Sequence, residues 1–282
     1  MNRRLHQHYF PLTVPHPERL VNWRQTVSYS RARVEAGNPV SKVLYKIPAP
    51  AAAGKKIAFL ADVHFRGTPA DFRVAESAAA AIASFQPDLL LTGGDLVADG
   101  CDVGRLPELL KILAGTAPVR LAVPGNWERG KEWIPISLWN KLFEQGGFRF
   151  LCNQSWRDDA FYVYGCDDLA RGTPRLPGLW PAHQTVILLA HNPDTVIALD
   201  AGDAYDGVRL VCCGHTHGGQ VRLPGVGSLF TPSRYGCRFD YGEFRRRKTG
   251  TRMIVTSGLG NLSLPWRFRC RREVVFIRFT GR

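Results

Sequence analysis

Short apolar runs alternate with longer stretches of helical period from residue 57 onward. Residues 57–61 and 88–92 are apolar and short, as strands buried on both faces are. Between them residues 72–85 are Ala-rich and predict a helix. Residues 106–113 read as a helix, 119–123 as a strand and 134–144 as a helix stopped by Gly146-Gly147. Strand, helix, strand, helix, strand predicts parallel pairing.

After Phe148 the character turns towards β, with strands expected at 161–165, 186–190, 209–213, 220–223, 252–256 and 274–279. Residues 192–199 form the one clear helix of this half. No internal repeat is present, so the halves predict two sheets of one domain over 55–282. Residues 1–54 mix Pro, Arg and aromatics without a sustained period and read as an extended lead-in.

At 282 residues, 45% apolar and 22% charged, the chain suits a globular core and excludes general disorder and a coiled coil. The charge is less ordinary: 37 Lys and Arg against 24 Asp and Glu give +13. Such a balance points to a polyanionic partner, namely a nucleic acid, an anionic membrane surface or a phosphorylated substrate. Seven cysteines without a Cys-x-x-Cys pair suggest reduced, mostly buried thiols. No apolar run resembles a signal peptide or reaches the roughly 18 residues of a membrane span. A cytoplasmic protein is expected, with any membrane contact peripheral.

Ligand-bearing residues fall just beyond strand ends, where open α/β sheets build their sites. Asp62 and His64 follow the first strand and Gly94-Asp95 the second. Gly125-Asn126 follows the third, His191 the strand ending at Ala190, and Gly214-His215-Thr216-His217 the strand ending at Cys213. Oxygen and imidazole donors without thiolate suit Mn, Fe, Zn or Ni rather than a structural zinc site. Seven ligands exceed one tetrahedral shell but fill two partly open ones that share a carboxylate. Two such ions clamp the attacking and leaving oxygens of an in-line phosphoryl displacement.

In order, Asp-x-His, Gly-Asp, Gly-Asn, a lone His and Gly-His-x-His make the chain resemble the calcineurin-like metallophosphoesterase superfamily. The resemblance implies a four-layer α-β-β-α sandwich with two central mixed β-sheets. It also implies that Asp62, His64 and His217 hold one metal, that Asp95 bridges, and that Asn126, His191 and His215 hold the second. Asp95, Asn126 and His191 are the expected catalytic residues, with an activated water attacking phosphorus. Tyr164, Asn192, Asp194, Gly218 and Gly219 adjoin the ligands and are candidates for orienting them or admitting substrate.

The pattern departs from the superfamily at Trp127, where a histidine commonly assists the leaving oxygen. Indole has no titratable group in the working range. A phosphate leaving group, with a second pKa near 6, needs less help than an alkoxide. Cleavage of a P–O–P bond is therefore expected over that of an alkyl phosphomonoester. The segments 218–224 and 257–260 are similar to the branch acting at membranes, which includes UDP-2,3-diacylglucosamine diphosphatases of lipid A synthesis. The basic runs 245–248 and 267–272, with Pro232, Trp266 and Phe268, are candidates for anionic lipid and acyl contacts. Two alternatives stay open: a nucleotide phosphodiesterase or nuclease, and a metal-bearing interaction scaffold.

Overall fold

The computed structural model describes residues 16–28, 34–35, 39–98, 103–131, 133–262 and 264–282. The amino-terminal part contributes helix α1 (Pro17–Leu20) and strands β1 (Trp23–Val27), β2 (Val34–Glu35) and β3 (Ser41–Pro48). There follow β4 (Lys56–Leu60), α2 (Pro69–Phe85), β5 (Leu89–Thr92), α3 (Leu106–Ala114), β6 (Val119–Ala122), α4 (Asn126–Arg129), α5 (Ile136–Gln145) and β7 (Arg149–Phe150). The second half runs β8 (Gln154–Arg157), β9 (Phe161–Gly165), β10 (Thr185–Leu189), α6 (Pro193–Leu199) and β11 (Val208–Cys213). It ends with β12 (Arg222–Leu223), β13 (Gly227–Ser228), β14 (Gly242–Arg246), β15 (Arg252–Val255) and β16 (Glu273–Thr280).

Two seven-stranded sheets form, in the orders β2-β3-β16-β4-β5-β6-β7 and β1-β14-β15-β11-β10-β9-β8, and β12 pairs only with β13. Both are mixed: β4, β5, β6 and β7 run parallel while β16 meets β4 antiparallel. In the other sheet β9, β10, β11 and β15 run parallel and β14 meets β15 antiparallel.

Period-two alternation fixes the layers. Ile57 and Phe59 of β4 join Leu210, Cys212 and Ile254 in the core between the sheets. Ala58 and Leu60 face the other way, with Ala78 and Ile82 of α2, Leu109 and Leu113 of α3, and Trp139 and Phe143 of α5. On the far side Val211 and Cys213 pack with Val196 and Ile197 of α6. The result is the four-layer α/β sandwich that the sequence predicts.

Two expectations need correcting. The expected division near residue 54 cuts through a sheet, because β3 pairs with β16 over eight residues and buries Val43 and Ile47 between the sheets. Its period-two pattern competes with the Pro and Arg around it and is hard to see locally. In the basic run 245–248 three of the four cations are ion-paired, while Arg247 is exposed and donates to the Val21 carbonyl. Arg246 is only 3% exposed and pairs with Asp200 at 2.9 Å. Arg245 pairs with Glu243, and Lys248 with Asp203. Alternation along β14 turns Arg246 inward, which composition does not report.

Of the cysteines, Cys166, Cys212, Cys213 and Cys270 are buried, Cys152 is half-buried and Cys237 is exposed, all as free thiols. Cys101 lies outside the described residues. Among the described residues no helix is long and apolar enough to cross a membrane.

Candidate metal centre

Parallel strands in both sheets end along one edge of the sandwich, and the loops that leave them carry the polar residues. β4, β5 and β6 deliver Asp62, His64, Asp95 and Asn126 from one sheet, while β10 and β11 deliver His191, His215 and His217 from the other. The loops turn sharply: Asp62, His64, Asp95, His215 and His217 all have positive φ, between 47° and 70°. Left-handed backbone costs a non-glycine residue roughly 1–3 kcal/mol and is retained where surrounding structure enforces it. Five such residues at one edge mark a strained functional site.

The structure brings all seven expected ligand residues together. Asp62, His64 and His217 each offer an atom within 4.8 Å of the others, and so do Asp95, His191 and His215. Asn126 Oδ1 lies 2.9 Å from His191 Nε2 and joins the second group. Asp95 Oδ2 sits between the groups, 3.3 Å from His191 Nε2 and 3.9 Å from His64 Nε2. Both histidine pairs turn ring nitrogens on each other at 3.0 Å, His64 Nε2 on His217 Nε2 and His191 Nε2 on His215 Nδ1.

Backbone carbonyls set two of the tautomers. His191 Nδ1 donates to the Gly93 carbonyl at 2.8 Å, which directs the Nε2 lone pair into the site. His215 Nε2 donates to the Pro232 carbonyl at 2.6 Å and leaves Nδ1 for the site. Pro232 is buried and fills this role, which corrects its expected place at a membrane interface. Its loop is tied down by Asp194, whose carboxylate accepts from Ser233 Oγ at 2.6 Å and from the Arg234 N–H at 2.7 Å. Asn192 caps α6 by accepting the Asp194 N–H. The Gly218 carbonyl accepts from Arg222, and the Gly219 N–H bonds the Thr216 carbonyl, so both glycines shape the loop. Tyr164 packs edge-on against Trp180.

Burial dominates the electrostatics. It pushes Asp62 up to about 7, with His191 opposing and Asp95 reinforcing the shift. It pushes His64 down to about 4, His215 to about 3 and His217 well below the imidazole range. His191 behaves oppositely: burial alone would lower it, but Asp95, Asp62 and Asp168 outweigh that and raise it to about 10. In return His191 holds Asp95 below the usual carboxylate range against its burial. Without cations the cluster therefore keeps a proton on its central histidine.

The donor set fits two divalent ions. Every His, Asp and Asn donor atom is oxygen or imidazole nitrogen, the six charged or imidazole residues are buried, and paired nitrogens converge with no proton-bearing side chain between them. His64 Nδ1 is buried without a hydrogen-bond partner. Crowded donors of this kind, one of them orphaned, are what a bound cation would satisfy.

Residues not singled out in the sequence support the ligands. Glu128 is fully buried, and its carboxylate accepts N–H groups from Asp95, Leu96 and Gly125 at 2.8 Å each and from Val97 at 3.3 Å. It fastens the loop carrying Asp95 to the one carrying Asn126. Its place in Gly-Asn-Trp-Glu at the start of α4 is the capping signal that marks it. Gly94, at φ +86°, lies where a Cβ would meet the Gly125 nitrogen at 2.5 Å, so the two loops touch backbone to backbone. Asp168 is fully buried with Oδ1 unpartnered, and Arg267 reaches within 3.4 Å of His217 Nδ1. Neither follows from a local motif.

Against known proteins, residues 55–219 match the model of the calcineurin-like phosphoesterase family. The chain is 32% identical over 237 residues to the phosphodiesterase YaeI of Escherichia coli, covering 80% of this chain and 82% of that protein. It is 33% identical over 203 residues to the uncharacterized metallophosphoesterase YkuE of Bacillus subtilis, covering 67% and 66%. The uncharacterized protein YpbG of the same bacterium is 26% identical over 254 residues, covering 86% and 85%.

Proposed function

The chain belongs to the calcineurin-like phosphoesterase family, and from that membership we propose a two-metal hydrolase of a diphosphate or phosphodiester bond in a lipid-linked substrate, with UDP-2,3-diacylglucosamine the best single match. In this reading Asp62, His64 and His217 hold one ion, Asn126, His191 and His215 the other, and Asp95 touches both. Bound divalent ions supply a water of lowered pKa and neutralise charge on the phosphoryl oxygens. The protein's part is to keep His191 and His215 in the right tautomers through the Gly93 and Pro232 carbonyls, and to fix Asp95 through Glu128.

The observation that carries the substrate class is Trp127. Its backbone N–H donates to Asp95 Oδ1 at 2.8 Å, and its indole packs edge-on against His64 with ring centroids 4.7 Å apart. The indole offers no proton to a basic leaving oxygen at neutral pH. A departing phosphate or nucleotide phosphate tolerates that loss, whereas an alkoxide, whose pKa approaches water's roughly 15.7, does not. YaeI carries the name phosphodiesterase, and the phosphorus attacked in a nucleoside diphosphate ester is likewise doubly substituted, although its leaving group is a phosphate.

The test is to quantify bound metals and to compare UMP release from UDP-2,3-diacylglucosamine with turnover of nucleotide diesters, single-stranded DNA and an alkyl monophosphate. Release of UMP well above the alkyl monoester rate is expected. Equal rates on the two would refute the leaving-group argument, and a preference for DNA would favour a nuclease.

A further inference from the structure

Eleven large apolar side chains are exposed among the described residues, and seven of them fall in two short segments, 223–230 and 264–268. Val226 at 70%, Leu229 at 56% and Trp266 at 52% are the most exposed of these, with Leu223, Phe230, Leu264 and Phe268 around them. The segments are stitched together. The Phe268 N–H donates to the Gln220 carbonyl and the Arg222 N–H to the Phe268 carbonyl, each at 3.0 Å. Gln220 Nε2 donates to the carbonyls of Leu264 and Trp266 at 2.8 and 2.9 Å, and its Oε1 accepts the Leu262 N–H. One contiguous lip therefore carries these side chains, where isolated surface apolar residues would need no explanation.

The lip adjoins the metal centre. Arg267, between Trp266 and Phe268, turns inward to the carbonyls of Ser257 and Gly260 and reaches His217. Charge around the lip is predominantly positive: residues 220–239 and 261–272 contain seven Arg and no Asp or Glu, and the neighbouring Asp240 is buried, pairing with Arg222 at 2.8 Å and accepting from Ser228. Arg269 and Arg271 are exposed. Aromatic and aliphatic tips set among cations suit a lipid headgroup boundary, where Trp is favoured and Lys or Arg attract anionic lipid.

We infer that this lip, formed by residues 222–230, 262 and 264–269, is a docking surface for an anionic lipid bilayer that sets the metal centre at headgroup depth. The inference deepens the lipid-linked reading above and rests on it for its purpose, but docking is measured without turnover.

The experiment is co-sedimentation of the full chain, loaded with manganese, with vesicles of phosphatidylglycerol and phosphatidylethanolamine and with vesicles of phosphatidylcholine alone. Binding to the anionic vesicles, weakened by salt, is expected. The double variant Val226→Asp with Trp266→Asp is expected to lose about tenfold or more of that binding while keeping its melting temperature. Should the double variant not fold, Arg269→Glu gives the second measurement, with a loss of about fivefold or more.

Absence of wild-type binding to anionic vesicles, or variants that bind as wild type does, overturns the inference. A concentration-dependent dimer in sedimentation velocity that the double variant abolishes assigns the lip to self-association and overturns it too. Docking without UMP release counts against the substrate and leaves the docking surface standing. UMP release from detergent-dispersed substrate without vesicle binding removes the docking surface alone.

Discussion

Asp95 is held from several sides at once. Its left-handed backbone is fastened by Glu128, its Oδ1 accepts the Trp127 N–H, and its Oδ2 lies between the two clusters. Asp95→Asn removes a charge that both ions need, so affinity and turnover are expected to fall by more than the about 10–100-fold typical of supporting residues. Elemental analysis alongside rate measurement checks this, and near-normal values would count heavily against a shared carboxylate. Glu128→Gln turns an NH₂ towards backbone donors and is expected to cost about 1–3 kcal/mol, read as a lowered melting temperature together with reduced metal content.

His191 sets the pH dependence. Its metal-free pKa is raised to about 10, so at neutral pH a metal must displace its proton. Metal affinity is accordingly expected to rise with pH below that value, by up to about tenfold per unit for one proton released. Isothermal titration at several pH values measures it, and a flat profile would show that the histidine binds its metal without giving up a proton.

Among the elements, those legible in the sequence are the ones whose burial is uniform or strictly periodic. β4, β5 and β9 lie within a residue of where the apolar runs place them. Helix α2 begins three residues before the expected start, because Thr68 and Asp71 close a capping box ahead of the apolar period. β3 and β14 were masked by neighbouring Pro and Arg, and the expected strand at 220–223 shrinks to the two-residue β12 of the lip. β3 pairs with β16, and β14 with β1, across more than a hundred residues of chain. Removing residues 1–48 strips β3 from β16 and exposes a long apolar strand edge. Insoluble or far less stable protein is expected on expression, and a truncated chain melting like the full one would mean that β3 adds little to the sheet.

At the level of the whole molecule, the candidate centre bridges the sandwich, because each three-residue cluster draws on both sheets. Bound metal therefore ties the layers together in the folded state only. At a free concentration about 100 times Kd such binding adds about 2.7 kcal/mol. Chelation is then expected to lower the melting temperature by roughly 5–10 °C. Calorimetry with and without a chelator, with manganese added back, checks it; no shift would mean that the clusters do not bind the metal tightly.

The sequence by itself determined the principal strands and helices between residues 57 and 144, the chemistry of the seven donors and their placement at strand ends. Those properties are local, set by side-chain period and by residue type. Only the tertiary structure decided that the donors come from two sheets packed face to face, which imidazole nitrogen faces the site, and that Arg246 and Pro232 turn inward while Val226 and Trp266 turn outward. A side chain's direction at those positions depends on carbonyls, carboxylates and packing supplied by distant segments. The net charge of +13 names a kind of partner, but burial and pairing decide which of its arginines remain to meet it.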